Sequence, residues 1–183
     1  MKAWLRHNRI GLVAVAVLLP ATVGITFANE WNAYFGERPS APVEVAAGDT
    51  ADFAKTGWAV EGTERIPASS PEGEEIGLPA GSELVVVTVR VTPGELDGDG
   101  ESPGCLVRLE ELDGDAGGRS WGDAMSEPIS FSPTDGVETI CTASRVDPYL
   151  FESTFVVPSD AGDDLALSVT VVSELPQYLR LRL

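Results

Sequence analysis

The sequence predicts an all-β domain, an antiparallel β-sandwich of about seven or eight strands, preceded by one N-terminal transmembrane helix. Three observations lead there. Residues 10–28 form an uncharged run of 19 residues. Beyond it, short stretches of alternating apolar and polar residues recur between Gly, Pro and Asp. Nowhere in that part do apolar residues recur at helical spacing over a useful length.

The N-terminal run, IGLVAVAVLLPATVGITFA, would span about 28 Å as a helix, close to a hydrocarbon core of about 30 Å. Lys2, Arg6, His7 and Arg9 precede it, whereas Glu30 and Glu37 follow. This asymmetry predicts a cytoplasmic N-terminus (residues 1–9), a signal anchor (10–28) and an extracytoplasmic remainder. Trp4 on one side and Trp31, Tyr34 and Phe35 on the other fit interfacial anchoring. A cleaved signal peptide is the alternative, with Thr26-Phe27-Ala28 as its small-residue cleavage site. Either reading exports the rest of the chain. Residues 29–42 read as a linker, because Pro39 and Pro42 discourage both helix and paired strand.

Residues 43–183 read as the sandwich. The clearest strand is 84–91, LVVVTVRV, with Val85, Val87, Val89 and Val91 on one face and Thr88 and Arg90 on the other. Residues 105–110 place Cys105, Val107 and Leu109 opposite Arg108 and Glu110. Residues 149–157 align Tyr149, Phe151, Phe155 and Val157 ahead of Pro158. In 165–173 the inward set is Leu165, Leu167, Val169 and Val171, and in 178–183 it is Leu179, Leu181 and Leu183. Weaker strands fall at 43–46, at 57–61 around Trp58, and at 120–121. Asp97-Gly98, Asp99-Gly100, Asp113-Gly114 and Asp135-Gly136 suit tight turns, and residues 66–82 read as a long loop.

Cys105 and Cys141 are the only cysteines, and in an exported domain a pair most simply forms one disulfide. The net charge of -17 divides into +2 for residues 1–30 and -19 for the remainder. A field of that sign opposes nucleic acid and anionic lipid and favours cations or a basic partner surface. Arg outnumbers Lys ten to two, a hint of GC-rich coding.

Chemistry is sparse. His7, the one histidine, lies before the apolar run, so histidine-based triads and zinc sites have no residue in the outer part. Lys55 has no serine motif around it. A carboxylate-pair glycosidase would need sugar platforms, for which Trp58 and Trp121 are the candidates, although a lone Trp in a sandwich more often fills the core. No catalytic residue and no cofactor is assigned. Asp97, Asp99 and Glu101, with Asp113 and Asp115, are weak Ca²⁺ candidates; the helix–loop–helix pattern itself fails, with Ser102 where Gly is needed and Arg108 where Glu is needed.

Leu78-Pro79-Ala80-Gly81-Ser82 before a valine-rich strand, and Phe155-Val156-Val157-Pro158-Ser159-Asp160 before an alternating aliphatic one, resemble the Ig-like (telokin-like) extracytoplasmic domains of anchored actinobacterial proteins. The resemblance covers residues 43–183 and implies binding or assembly more than catalysis. It departs in lacking a lipid-attachment cysteine. The expectation is a non-enzymatic, single-pass envelope protein that binds another envelope or membrane protein, with no nucleic-acid partner. The alternative is a ligand- or Ca²⁺-binding module built on the acidic loops.

Overall fold

A computed structural model describes Trp4, residues 7–94, Leu96, 104–112, 118–141 and 145–183. The chain divides into two units, Met1–Pro39 and Ser40–Leu183.

The first unit is one helix, α1 (Arg9–Gly36), long and apolar enough to cross a membrane. It accommodates Pro20 and runs through most of the predicted linker, ending only at Gly36. The reason lies in residues 29–35, where Glu and Ala favour helix and no proline interrupts until Pro39. The aromatic residues at its C-terminal end pack along one side. Trp31 lies 5.7 Å from Phe27 and 4.4 Å from Phe35 between ring centroids, and the Arg38 guanidinium sits 4.0 Å over Tyr34.

The second unit is a sandwich, with nine strands in two sheets among the described residues. One sheet has the order β1 (Ala41–Val45), β9 (Gln177–Arg182), β8 (Leu165–Thr170), β5 (Leu106–Glu111), β6 (Ser120–Gly122). The other has β2 (Thr50–Phe53), β3 (Thr56–Pro67), β4 (Ser82–Pro93), β7 (Tyr149–Pro158). A short helix, α2 (Pro71–Ile76), follows β3. Pairing is antiparallel except that β1 runs parallel to β9, a departure from the all-antiparallel expectation. These two strands are separated by nearly the whole domain, so no hairpin imposes their relative direction. Pro42 is tolerated because β1 is an edge strand.

The alternating residues meet in the core as predicted. Val85, Val87, Val89 and Val91 of β4 and Phe151, Phe155 and Val157 of β7 face Leu109, Leu165, Leu167, Val169, Leu179 and Leu181 from the other sheet. Each fully buried aliphatic side chain contributes about 1.5–3 kcal/mol from area alone. Trp58 is wholly buried among them, its indole N–H donating to the Phe53 carbonyl at 3.0 Å.

The outer face of the second sheet carries a smaller apolar cluster that alternation did not reveal. Leu84, Val86 and Ile66 are covered there by Ile76 and Leu78, with Val156, Ile129 and Phe131 packed alongside. Helix α2 makes this cover and lies in the stretch expected to be a loop. Ser70 caps it by accepting from the Gly73 N–H, Pro71 opens it, and Gly77 closes it at a φ of +82°.

Strand β2, the ninth strand, turns into β3 through Ala54 and Lys55, whose φ values of 52° and 58° give a two-residue turn of the left-handed kind that suits hairpins. The Lys55 carbonyl then accepts from the Gly94 N–H at 3.1 Å, an approach only glycine permits, since a Cβ at 94 would lie 2.4 Å from that oxygen. Strand β3 is also bulged between Val60 and Gly62. The bulge reverses which side chains face inward, so Trp58 and Val60 oppose core valines and so does Arg65, opposite Val85.

Candidate functional site

Among the described residues, two places in the sandwich bear most directly on function. The first closes one end. Arg65 and Glu83 of the second sheet, and Glu111 of the first, sit on the core side where the chain crosses from β7 to β8 through residues 159–164. Arg65 grips Glu83 through Nε and Nη2, and donates to the carbonyls of Ala161 at 3.1 Å and Gly162 at 3.3 Å and to Asp163 at 2.9 Å. Arg119 holds Glu111 with two bonds of 2.7 and 3.0 Å and reaches Asp160 through its carboxylate at 2.8 Å and its carbonyl at 3.0 Å. The Gly162 peptide is therefore held from both sheets, because its N–H also donates to Glu111 at 2.7 Å.

The Arg119 guanidinium, followed by the Gly162 N–H, holds the Glu111 carboxyl down at about 2. Glu83 and Glu111, both under 10% exposed, are thus answered by structural arginines. The third buried carboxylate, Glu152, accepts from the N–H of Thr134 at 2.9 Å and its hydroxyl at 2.6 Å. Each of these three carboxylates is thus hydrogen-bonded to a neighbour within the fold.

The second place is apolar and open. Cys105 and Cys141 are joined, with 5.6 Å between their Cα atoms, and tie the start of β5 to the segment before β7. Around the bond lies a hollow of ≈ 180 Å³. Leu106 is 67% exposed, Met125 62% and Ile140 51%, and all three line it. Met125 stands on a 3-10 turn (Ala124–Ser126) capped by Asp123, whose carboxylate accepts from the Met125 N–H at 2.8 Å. A second hollow of ≈ 160 Å³ adjoins the first, sharing Met125 and Thr139, with Glu127 and Glu152 in its wall. Among the described residues no Lys or Arg lines either hollow.

The predicted site residues are placed as follows. Cys105 and Cys141 form the expected disulfide. The Ca²⁺ candidates Asp97, Asp99, Glu101, Asp113 and Asp115 lie outside the described residues, as do three of the four Asp-Gly pairs. The fourth pair makes its turn, with Gly136 at a φ of +80° and the Val137 N–H bonded to Thr134. Among the described residues no three His, Cys, Asp or Glu side chains are grouped to hold a metal. Trp58 is core, and Trp121 is half-buried against the core with Arg119 at 5.6 Å from its ring.

Alternation did carry a signal for the open hollow. Leu106 shares the outward parity of Arg108 and Glu110, where an aliphatic residue has no core to fill.

No protein-family model matches the sequence, and comparison with curated proteins gives no match. Two solved structures are similar. One is a candidate lipoprotein of Staphylococcus aureus subsp. aureus NCTC 8325, at 12% identity and a TM-score of 0.47 over 76% of this chain and 90% of that one. The other is an uncharacterized β-sandwich protein of Clostridium difficile 630, at 11% identity and a TM-score of 0.39 over 80% of this chain and 97% of that one.

Proposed function

We propose that the chain is a non-enzymatic envelope protein, held in the membrane by α1 with its N-terminus in the cytoplasm, whose Ig-like sandwich binds another envelope or membrane protein as an accessory subunit. The observation that carries this reading is the exposed apolar hollow beside the disulfide. Three large apolar side chains, each more than half exposed, lie together on a domain whose remaining surface is dominated by acid. Such clusters on soluble domains mark interaction surfaces more often than isolated apolar residues do. The buried carboxylates, each engaged in the architecture, favour binding over catalysis.

The membrane part of the reading is supported by α1 itself and by the aromatic and Arg38 cluster at its outer end, the kind of group that settles at headgroup depth. The disulfide suits an oxidising compartment. The test is chemical crosslinking in intact cells with a tagged full-length copy, followed by mass spectrometry. Near-stoichiometric recovery of one membrane or envelope protein supports the accessory role. A monomer with nothing above background would remove it.

A further inference from the structure

We infer that the hollow beside the disulfide receives an apolar side chain from a basic segment of a partner protein. The inference rests on the protein-binding reading above and deepens it, by naming the surface and the chemistry of what covers it.

The apolar half of the argument is local. Leu106, Met125 and Ile140 are the exposed apolar residues lining it, and the disulfide and Val107 line it as well. Strand β6 pairs only with Arg108–Glu110 of β5, so Leu106 and Val107 have no partner strand on the side facing the hollow. A hollow of ≈ 180 Å³ accommodates one aliphatic or aromatic side chain, not a second domain face.

Charge selects among possible occupants. Ser40–Leu183 carries eight Lys and Arg against 27 Asp and Glu. Six of the eight cations, Arg65, Arg90, Arg119, Arg145, Arg180 and Arg182, already form ion pairs within the domain. The surface offered outward is accordingly acidic, with Asp123 in the wall of the hollow and Glu127 beside it. The same domain of a second copy would bring another net -19 against it. An anionic membrane surface would meet the same repulsion. A segment with Lys or Arg flanking an apolar residue satisfies both the hollow and its surroundings, and gains association rate from the field.

The experiment places a photo-crosslinking amino acid at Met125 in the full-length protein in native membranes, with Val172, an equally exposed apolar position outside the hollow, as the control. The expected result is an adduct from position 125, weak or absent from 172, whose crosslinked peptide belongs to another protein and has more Lys and Arg than Asp and Glu. Raising ionic strength from about 0.1 to about 1 M shortens the screening length from roughly 10 to roughly 3 Å, so the adduct falls several-fold. Combining Leu106→Asp with Ile140→Asp abolishes it. Thermal melting checks that this variant is folded, and the identity and salt response of the wild-type adduct are read without it.

An adduct to lipid, to a second copy or to an acidic or neutral segment overturns the inference, and so does equal yield at 172 or no adduct. If a partner co-purifies by chemical crosslinking but position 125 gives no adduct, this surface is wrong while the accessory role stands. If neither appears, both fall.

Discussion

Replacing Cys105 and Cys141 together by Ala should cost the sandwich about 4 kcal/mol, and the reason is confined to the unfolded chain. The bond closes a loop with a sequence separation of 36. Chain entropy for a closure of that length corresponds to about 3.8 kcal/mol at 25 °C. Spread over the unfolding entropy of roughly 140 residues, the loss lowers Tm by about 13 °C. Folded contacts change little, because Cys105 and Cys141 are only partly buried at the edge of the main core. Urea unfolding followed by tryptophan fluorescence, to which the buried Trp58 contributes, is the assay. A second signature separates this cause from simple loss of packing: without the bond the unfolded ensemble expands and exposes more surface, so the m-value rises. A variant that loses under about 1 kcal/mol with an unchanged m-value would refute the reasoning, since the unfolded chain would then be equally restrained without the bond.

Three further outcomes follow from local geometry. Lys55→Gly relieves a left-handed backbone position at φ 58° and should raise stability by about 1 kcal/mol, or roughly 3 °C in Tm by calorimetry. Gly73→Ala sets two effects against each other. Helix propensity favours Ala by about 1 kcal/mol, but its Cβ would lie 2.1 Å from the Pro67 carbonyl oxygen, so net destabilisation of roughly 1–3 kcal/mol is expected in denaturant melts. In acid, Glu111 has a folded value of about 2 against an ordinary 4.5. Its contribution is therefore complete above pH 4.5 and lost as the pH falls toward about 2. Glu111→Gln should flatten the decline in stability across that window, measured by urea midpoints at each pH.

How much of this was legible in the sequence depends on whether the signal was local. Strands β4, β7, β8 and β9 declare themselves through alternation, and their inward sets are those found in the core. The disulfide followed from having only two cysteines. Strand β2, Thr-Ala-Asp-Phe, is too short and polar to stand out, and it forms because the Ala54-Lys55 turn returns it onto β3. Helix α2 had its markers in Ser70, Pro71 and Gly77, but six residues give no periodicity to read. The arginine clamp was beyond reach for a different reason. Arg65 meets residues nearly a hundred positions away, and it points inward only because β3 is bulged ahead of it. Strict alternation from Trp58 would have sent Arg65 outward and Ile66 into the main core.

That clamp also changes how the arginine excess is understood. Ten Arg against two Lys first reads as a coding bias. Yet Arg65 distributes its donors among two carboxylates and two carbonyls, and Arg119 among two carboxylates and one carbonyl. A lysine, with three donors on one flexible point charge, cannot reproduce a planar fork that ties a sheet to the segment crossing between the sheets. On the outer face of the first sheet Arg180 does the same, joining Glu44 of β1, Glu110 of β5 and the Tyr178 hydroxyl. Positive charge in this domain is thereby consumed in joining strands and closing the sandwich, and little is left to offset the acid outside. The architecture and the inferred preference for a basic partner thus have one origin: the residues that hold the two sheets together are those that would otherwise have neutralised the surface.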